Sequence, residues 1–85
     1  MTLEELTLKY ISKTEEVFRR LRMTQKFEGV TSEDVRNVVE EANRYLNDAK
    51  YYMERKKLET SLASVAYCEG LLDALRMLGF VDFSW

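Results

Sequence analysis

The feature that most constrains this chain is a hydrophobic period of helical length that recurs in three stretches separated by short breaks. Such a period is typical of amphipathic helices that bury one face. The chain has 85 residues, no proline and three glycines, too few turn-forming residues for a small β fold. The sequence therefore predicts an all-α fold: a three-helix up-and-down antiparallel bundle with a short aromatic C-terminal tail, forming a single domain over residues 1-85.

Turn and capping residues set the expected ends of the helices. The period predicts helices over about residues 3-26, 33-55 and 59-78. Thr2 is a suitable N-cap for the first helix, and Glu5 completes a capping box. Gly29 marks the break after this helix, and Thr31 or Ser32 is expected to cap the second. Because the connections are short, consecutive helices are expected to be antiparallel neighbours.

The third predicted helix is apolar over about 200° of its circumference, which is wider than the other two. One side carries Leu62, Val65, Cys68, Leu72 and Leu75. The other side carries Ala63, Tyr67, Leu71, Ala74 and Leu78. A helix of this kind is expected to touch both neighbours and to be the best-buried element. Cys68 is then expected to be a small core residue rather than a nucleophile.

The composition lacks most of the side chains on which enzymes commonly rely for catalysis. The chain has no histidine and one cysteine, so neither the commonest general base nor a disulfide framework is present. We predict no catalytic residues, no cofactor and no enzymatic activity. The net charge is −2 and the basic residues form no long stripe, so nucleic acid is not an expected partner.

The same sequence predicts a cytoplasmic protein that does not enter a membrane. No apolar run approaches the roughly 20 residues that span a bilayer. Glu4 and Glu5 stand where a signal peptide would carry its basic start and apolar run, so we expect no such peptide. A single cysteine is compatible with a reducing compartment.

Carboxylates on the second and third helices are the remaining candidates for ligand binding. Glu69 and Asp73 lie one turn apart, and Asp48 lies beside the apolar arc of the second helix. If the two strips faced each other, they could hold a divalent cation. The competing interpretation is a solvated acidic strip in which Asp73 pairs with Arg76 at i,i+3 spacing.

The C-terminal tail carries four large apolar residues after the expected helix stop at Gly79: Phe80, Val81, Phe83 and Trp85. Left free, they would form an exposed apolar patch. The tail is expected either to fold back over the open end of the bundle or to dock on a second copy or another protein. Phe80, Phe83 and Trp85 are therefore candidate partner contacts.

Three motifs carry a resemblance to a known family: residues 45-52 (YLNDAKYY), 61-74 (SLASVAYCEGLLDA) and 78-79 (LG). With these motifs the chain resembles the archaeal domain of unknown function family 357. The resemblance implies a three-helix bundle of archaeal, cytoplasmic origin with no assigned activity, and an accessory role beside nucleotidyltransferase-like domains. The matched positions most worth testing are Asp48, Tyr67, Glu69 and Asp73.

Two functions remain open from the sequence. The leading one is a non-enzymatic helical interaction or accessory module that binds a protein partner or associates with itself as a homodimer. The alternative is a small-ligand or divalent-metal-binding bundle that uses the acidic strip on helices two and three.

Overall fold

A computed structural model describes residues 1–24 and 29–85, which form three helices and one short pair of strands. The elements are α1 (Leu3–Arg20), β1 (Arg22–Met23), α2 (Ser32–Glu54), α3 (Leu58–Met77) and β2 (Val81–Asp82). The predicted all-α three-helix fold is confirmed. Helices α2 and α3 contact each other most extensively, and α1 packs against both.

The predicted end of the first helix was wrong. Helix α1 ends at Arg20 rather than near Lys26, and Leu21 has an extended backbone with ψ of 145°. The strand β1 that follows pairs antiparallel with β2, and the Thr24 amide donates to the Phe80 carbonyl at 3.0 Å. The tail thus supplies backbone partners that compete with a further helical turn. Residues 25–28, which include the end of the predicted helix and part of the predicted break, lie outside the described residues.

The predicted N-caps are correct in detail. The Thr2 hydroxyl accepts from the Glu5 amide at 3.1 Å, and the Glu5 carboxylate accepts from the Thr2 amide at 2.9 Å. Of the two candidates for α2, Thr31 is the cap, and Asp34 completes a second capping box. These reciprocal bonds satisfy amides that a helix start leaves without partners.

Gly79 ends α3 and returns the chain toward the bundle. Its φ is +83°, a conformation that glycine adopts without a side-chain clash. The Phe80 amide donates to the Leu75 carbonyl at 2.9 Å, and the Gly79 amide donates to the Arg76 carbonyl at 3.0 Å. This pair of bonds is a Schellman motif, and it directs the tail back to pair with β1.

The core has two connected parts. The larger cluster joins all three helices through Ile11, Val17, Ala42, Leu46, Ala49, Met53, Val65, Cys68 and Leu72. The smaller cluster joins α2, α3 and the tail through Val35, Leu75 and Val81. Phe83 packs against both clusters, so the tail closes one end of the core. No helix within residues 1–24 and 29–85 has both the length and the apolar character needed to cross a bilayer.

Candidate functional site

Of the residues that the sequence singled out, five fall into two separate regions. Glu69, Asp73, Phe83 and Trp85 gather where α1, α3 and the tail meet. Tyr67 lies on the exposed side of α3 and contacts α2 instead. Asp48 is exposed on α2 and lies in neither region, so the acidic residues of helices two and three do not form one strip.

Lys13 of α1 is the centre of the first region. Its Nζ lies 3.5 Å from Glu69 Oε2, 4.8 Å from the centre of the Tyr10 ring and 4.9 Å from that of Trp85. The buried Thr14 hydroxyl donates to the same Glu69 oxygen at 3.3 Å. Sequence reasoning missed Lys13, for which the only local signal was its i,i+3 spacing from Tyr10.

Asp73 is held by the tail and by its own helix. Its Oδ1 accepts from Trp85 Nε1 at 2.8 Å and from Arg76 Nη2 at 3.2 Å. The Trp85 hydrogen bond, helped by Arg76 and by the charge of Lys13, lowers the pKa of this carboxyl. Asp73 therefore anchors Trp85 as an ionised acceptor, which leaves it less free to bind a cation.

In the structure the aromatic tail folds back on its own bundle. Val81 is buried, and Phe80 and Phe83 are half-buried. The Phe83 and Trp85 rings meet edge to face with centres 5.0 Å apart. Trp85 itself stays 38% exposed. Most of the tail's apolar surface is thus used within the chain, and a docking role for Phe80, Phe83 and Trp85 stays a prediction.

A cleft of about 370 Å³ lies beside the Lys13 cluster, lined by Leu6, Tyr10, Leu62, Val65, Ala66 and Glu69. Its walls are mostly apolar, and its one carboxylate is engaged by Lys13 and Thr14. The nearby Cys68 is buried, and burial together with the charge of Glu69 raises its pKa to about 12. A thiol with that pKa stays protonated at neutral pH and is a poor nucleophile.

The described part of the chain offers no ready metal site. Among residues 1–24 and 29–85, no group of three or more His, Cys, Asp or Glu side chains could hold a metal ion. Asp48 is exposed on α2, whereas Glu69 and Asp73 face α1 and the tail. This separation weighs against the divalent-metal alternative.

The second region is the outer face of α3, which we define as Ala63, Ala66, Tyr67, Gly70, Ala74, Met77 and Leu78. All seven residues are exposed and none is charged. Tyr67 is 58%, Met77 76% and Leu78 65% exposed. As predicted, α3 contacts both neighbouring helices, but Ala63, Tyr67, Ala74 and Leu78 on its second apolar side are exposed. Both neighbouring helices pack on the side of Val65 and Leu72, because two neighbours cannot surround a third helix.

Tyr67 and Gly70 give the outer face of α3 its shape. The Tyr67 ring stacks on Tyr45 of α2 with centres 4.5 Å apart. Beside it lies a depression of about 280 Å³ lined by Tyr67, Gly70 and Leu71. A Cβ at Gly70 would meet nothing within 4 Å, so no neighbour within the described chain requires glycine there. A glycine inside a helix costs about 1 kcal/mol relative to alanine, and this one creates the depression.

Comparison with known proteins identifies the family of the chain but assigns no activity to it. Residues 9–81 match the model of a family described as "Protein of unknown function (DUF357)". This match confirms the resemblance seen in the sequence motifs. Neither a curated protein nor a solved structure matches the chain.

Proposed function

Because the chain belongs to the DUF357 family, whose description assigns no activity, we propose a function from its own surfaces. The protein is a non-enzymatic helical interaction module, and the outer face of α3 binds another protein chain. The observation that carries this proposal is an exposed helix face about 20 Å long, at 1.5 Å per residue, that holds no charged residue.

The composition of α3 supports this role. Over residues 63–78 the three charged residues, Glu69, Asp73 and Arg76, lie on the side toward α1 and the tail. A helix that is apolar around most of its circumference is typical of a buried position. In the single chain only one side of α3 is buried, so a partner chain would complete its burial. Covering this face desolvates no charge, which keeps the cost of binding low.

Tyr67 is suited to be the central contact. Exposed tyrosines are enriched among the residues that dominate binding energy at protein interfaces. Stacking on Tyr45 restrains the ring before binding, and a side chain that is already ordered loses less entropy when a partner arrives. Tyr67 also borders the depression at Gly70, which allows close approach of a partner's backbone.

The chemistry of the polar groups on α3 supports a role without catalysis. Cys68 is protonated and buried, and Glu69 and Asp73 are engaged by groups of the same chain. The outer face of α3 has no cation for phosphate or lipid headgroups, which supports a protein partner rather than nucleic acid or membrane. A single cysteine is compatible with our further placement of the protein in the cytoplasm.

Cysteine footprinting tests the proposal. Ala74→Cys places a small thiol in the outer face of α3. Asn47→Cys places a matched control thiol at an exposed position of α2. The native Cys68 gives little background, because burial suppresses its reaction with maleimide. We would measure labelling rates in dilute protein, in concentrated protein and in extract of the source organism. We expect the thiol at position 74 to be slowed several-fold in at least one of the last two settings, with the thiol at position 47 unchanged.

Equal rates for the two thiols in all three settings would contradict the proposal, because the face would then be free wherever the protein is found.

A further inference from the structure

We infer that the partner of the outer face of α3 is a second copy of this chain, packed with its α3 antiparallel about a two-fold axis near Gly70. This inference rests on the proposed function and names the occupant of the same surface. An isologous dimer of this kind requires a surface that is complementary to itself.

The spacing of the exposed residues meets this requirement. Residues 63, 67, 70, 74 and 77 alternate steps of four and three, which is the spacing of a helix-packing seam. In antiparallel pairing centred on Gly70, Ala63 faces the second copy's Met77 and Tyr67 faces its Ala74. Every layer away from the axis then joins a large side chain to a small one, and the two glycines meet at the axis.

Parallel pairing fits the same residues poorly. It would place Tyr67 against the second copy's Tyr67 and Ala74 against its Ala74. The first layer would be overfilled and the second would leave a void, and both faults are destabilising. The distribution of residue volumes along the face therefore selects the antiparallel arrangement.

The local geometry and charges agree with this pairing. Gly70 lacks a side chain at the axis, where helix backbones approach most closely, and the depression beside it is open. Tyr67 is already stacked on Tyr45, so its free side is presented outward. The charged residue next to the face, Asp73, is already paired with Arg76 and Trp85. The charged residues of α3 are therefore not brought together unpaired when two copies meet through this face.

The available area indicates a weak dimer rather than a permanent one. The seam is about 20 Å long, and two adjacent helices are about 20 Å wide. If the α2 edge at Tyr45 contributes, each copy buries about 400 Å², against about 800 Å² for a standard stable interface. We therefore expect a weak dimer whose population depends on concentration.

Sedimentation or light scattering over a concentration series tests the pairing. We expect the wild-type mass to rise from monomer toward dimer between low-micromolar and millimolar concentrations. Ala74→Glu should stay monomeric, because it buries a charge against Tyr67. Asn47→Glu adds the same charge on exposed α2 and should behave as wild type. Circular dichroism would verify that both variants remain helical.

Disulfide trapping tests the direction of packing. Ala63→Cys and Met77→Cys chains would be oxidised separately and as an equimolar mixture. We expect a cross-linked dimer only in the mixture, because only an antiparallel seam brings position 63 close to position 77 of the other copy. Cross-linking of Ala63→Cys alone, as readily as in the mixture, would overturn the antiparallel arrangement.

Failure of this inference and failure of the proposed function have different signatures. A wild-type chain that stays monomeric to millimolar concentration overturns the second copy as partner. If Ala74→Cys is then protected only in cell extract, the interaction module stands with a different protein on the same face. If it is protected in neither setting, both are wrong.

Discussion

At the scale of single residues, the buried core within residues 1–24 and 29–85 is apolar except for three fully buried hydroxyl groups. Thr7 donates to the Leu3 carbonyl at 2.7 Å within α1. Thr14 donates across to Glu69, and Ser61 of α3 donates to the Ala49 carbonyl of α2 at 2.6 Å. A buried hydroxyl without a partner is costly, so these bonds make polar residues compatible with the core. The two that join different helices also restrict how the helices can slide.

Ser61→Ala is expected to lower the free energy of unfolding by about 1 kcal/mol more than Ser64→Ala, the typical net value of one internal hydrogen bond. Ser64 is the matched control, because its hydroxyl bonds only to Thr60 of its own helix. Both changes raise helix propensity equally, so that effect cancels. Urea denaturation of the two variants measures the difference, and equal stabilities would show that the bond to α2 contributes nothing.

Trp85→Phe is expected to raise the pKa of Asp73, because it removes the indole N–H that contributes most to the lowered pKa. The folded-state pKa lies below the ordinary value of 3.8. The ionised carboxylate therefore stabilises the fold at neutral pH, and this contribution is lost as pH falls below 3.8 through the folded pKa. The variant should lose less stability over that acid range.

Titration of side-chain carboxyl shifts by NMR measures this change. Asp34 is the internal control, since its lowered pKa comes from the Thr31 cap and should not move. An Asp73 pKa unaffected by the substitution would show that Trp85 does not hold this carboxylate in solution.

At the scale of the elements, the turn between α2 and α3 uses a lysine where most helices of this type end in glycine. Lys56 has φ of +61°. Its amide donates to the Met53 carbonyl and the Lys57 amide donates to the Tyr52 carbonyl, both at 3.0 Å. This is the same Schellman geometry as at Gly79, but here a side chain occupies the left-handed conformation. The Lys56 ion pair with Glu4 at 2.9 Å is exposed and compensates little.

Lys56→Gly is expected to be about 1 kcal/mol more stable than Lys56→Ala, because glycine adopts positive φ without the clash of a Cβ. Both variants remove the ion pair with Glu4, so the difference in their stability measures the cost of a Cβ at positive φ. Thermal denaturation of the two proteins would test it. Equal midpoints would mean that the turn relaxes to another conformation.

At the scale of the whole molecule, the tail and the segment after α1 hold each other in place. Strand β1 pairs with β2, with Arg22 opposite Asp82 and Met23 opposite Val81. Val81 is buried between α2 and α3, and Phe83 covers the junction of the two core clusters. Two residues on each strand would not form a sheet alone, so this pair depends on packing against the helices.

Deletion of residues 80–85 is therefore expected to lower the free energy of unfolding by about 3 kcal/mol, mainly through exposure of Val81, Phe83 and the core beneath them. Deletion of residues 84–85 should cost less, because Val81 and Phe83 then stay in contact with the core and only the partly exposed Trp85 loses its contacts. Denaturant unfolding of both truncations measures the effect. An unchanged free energy of unfolding in the longer truncation would show that the tail does not stabilise the fold. Dimerisation through α3 should persist in the shorter one.

The sequence by itself determined the features that depend on neighbouring residues. The apolar period, the capping boxes at Thr2 and Thr31 and the stop at Gly79 act over a turn or two of helix, so local spacing was sufficient to predict them. Only the tertiary structure decided the rest. Helix α1 ends early because the distant tail offers backbone partners, and Lys13 joins Glu69 and Trp85 from separate segments. The outer face of α3 stays exposed because both other helices pack on its opposite side. These outcomes depend on which surfaces pack together in three dimensions, and the local sequence pattern does not determine that packing.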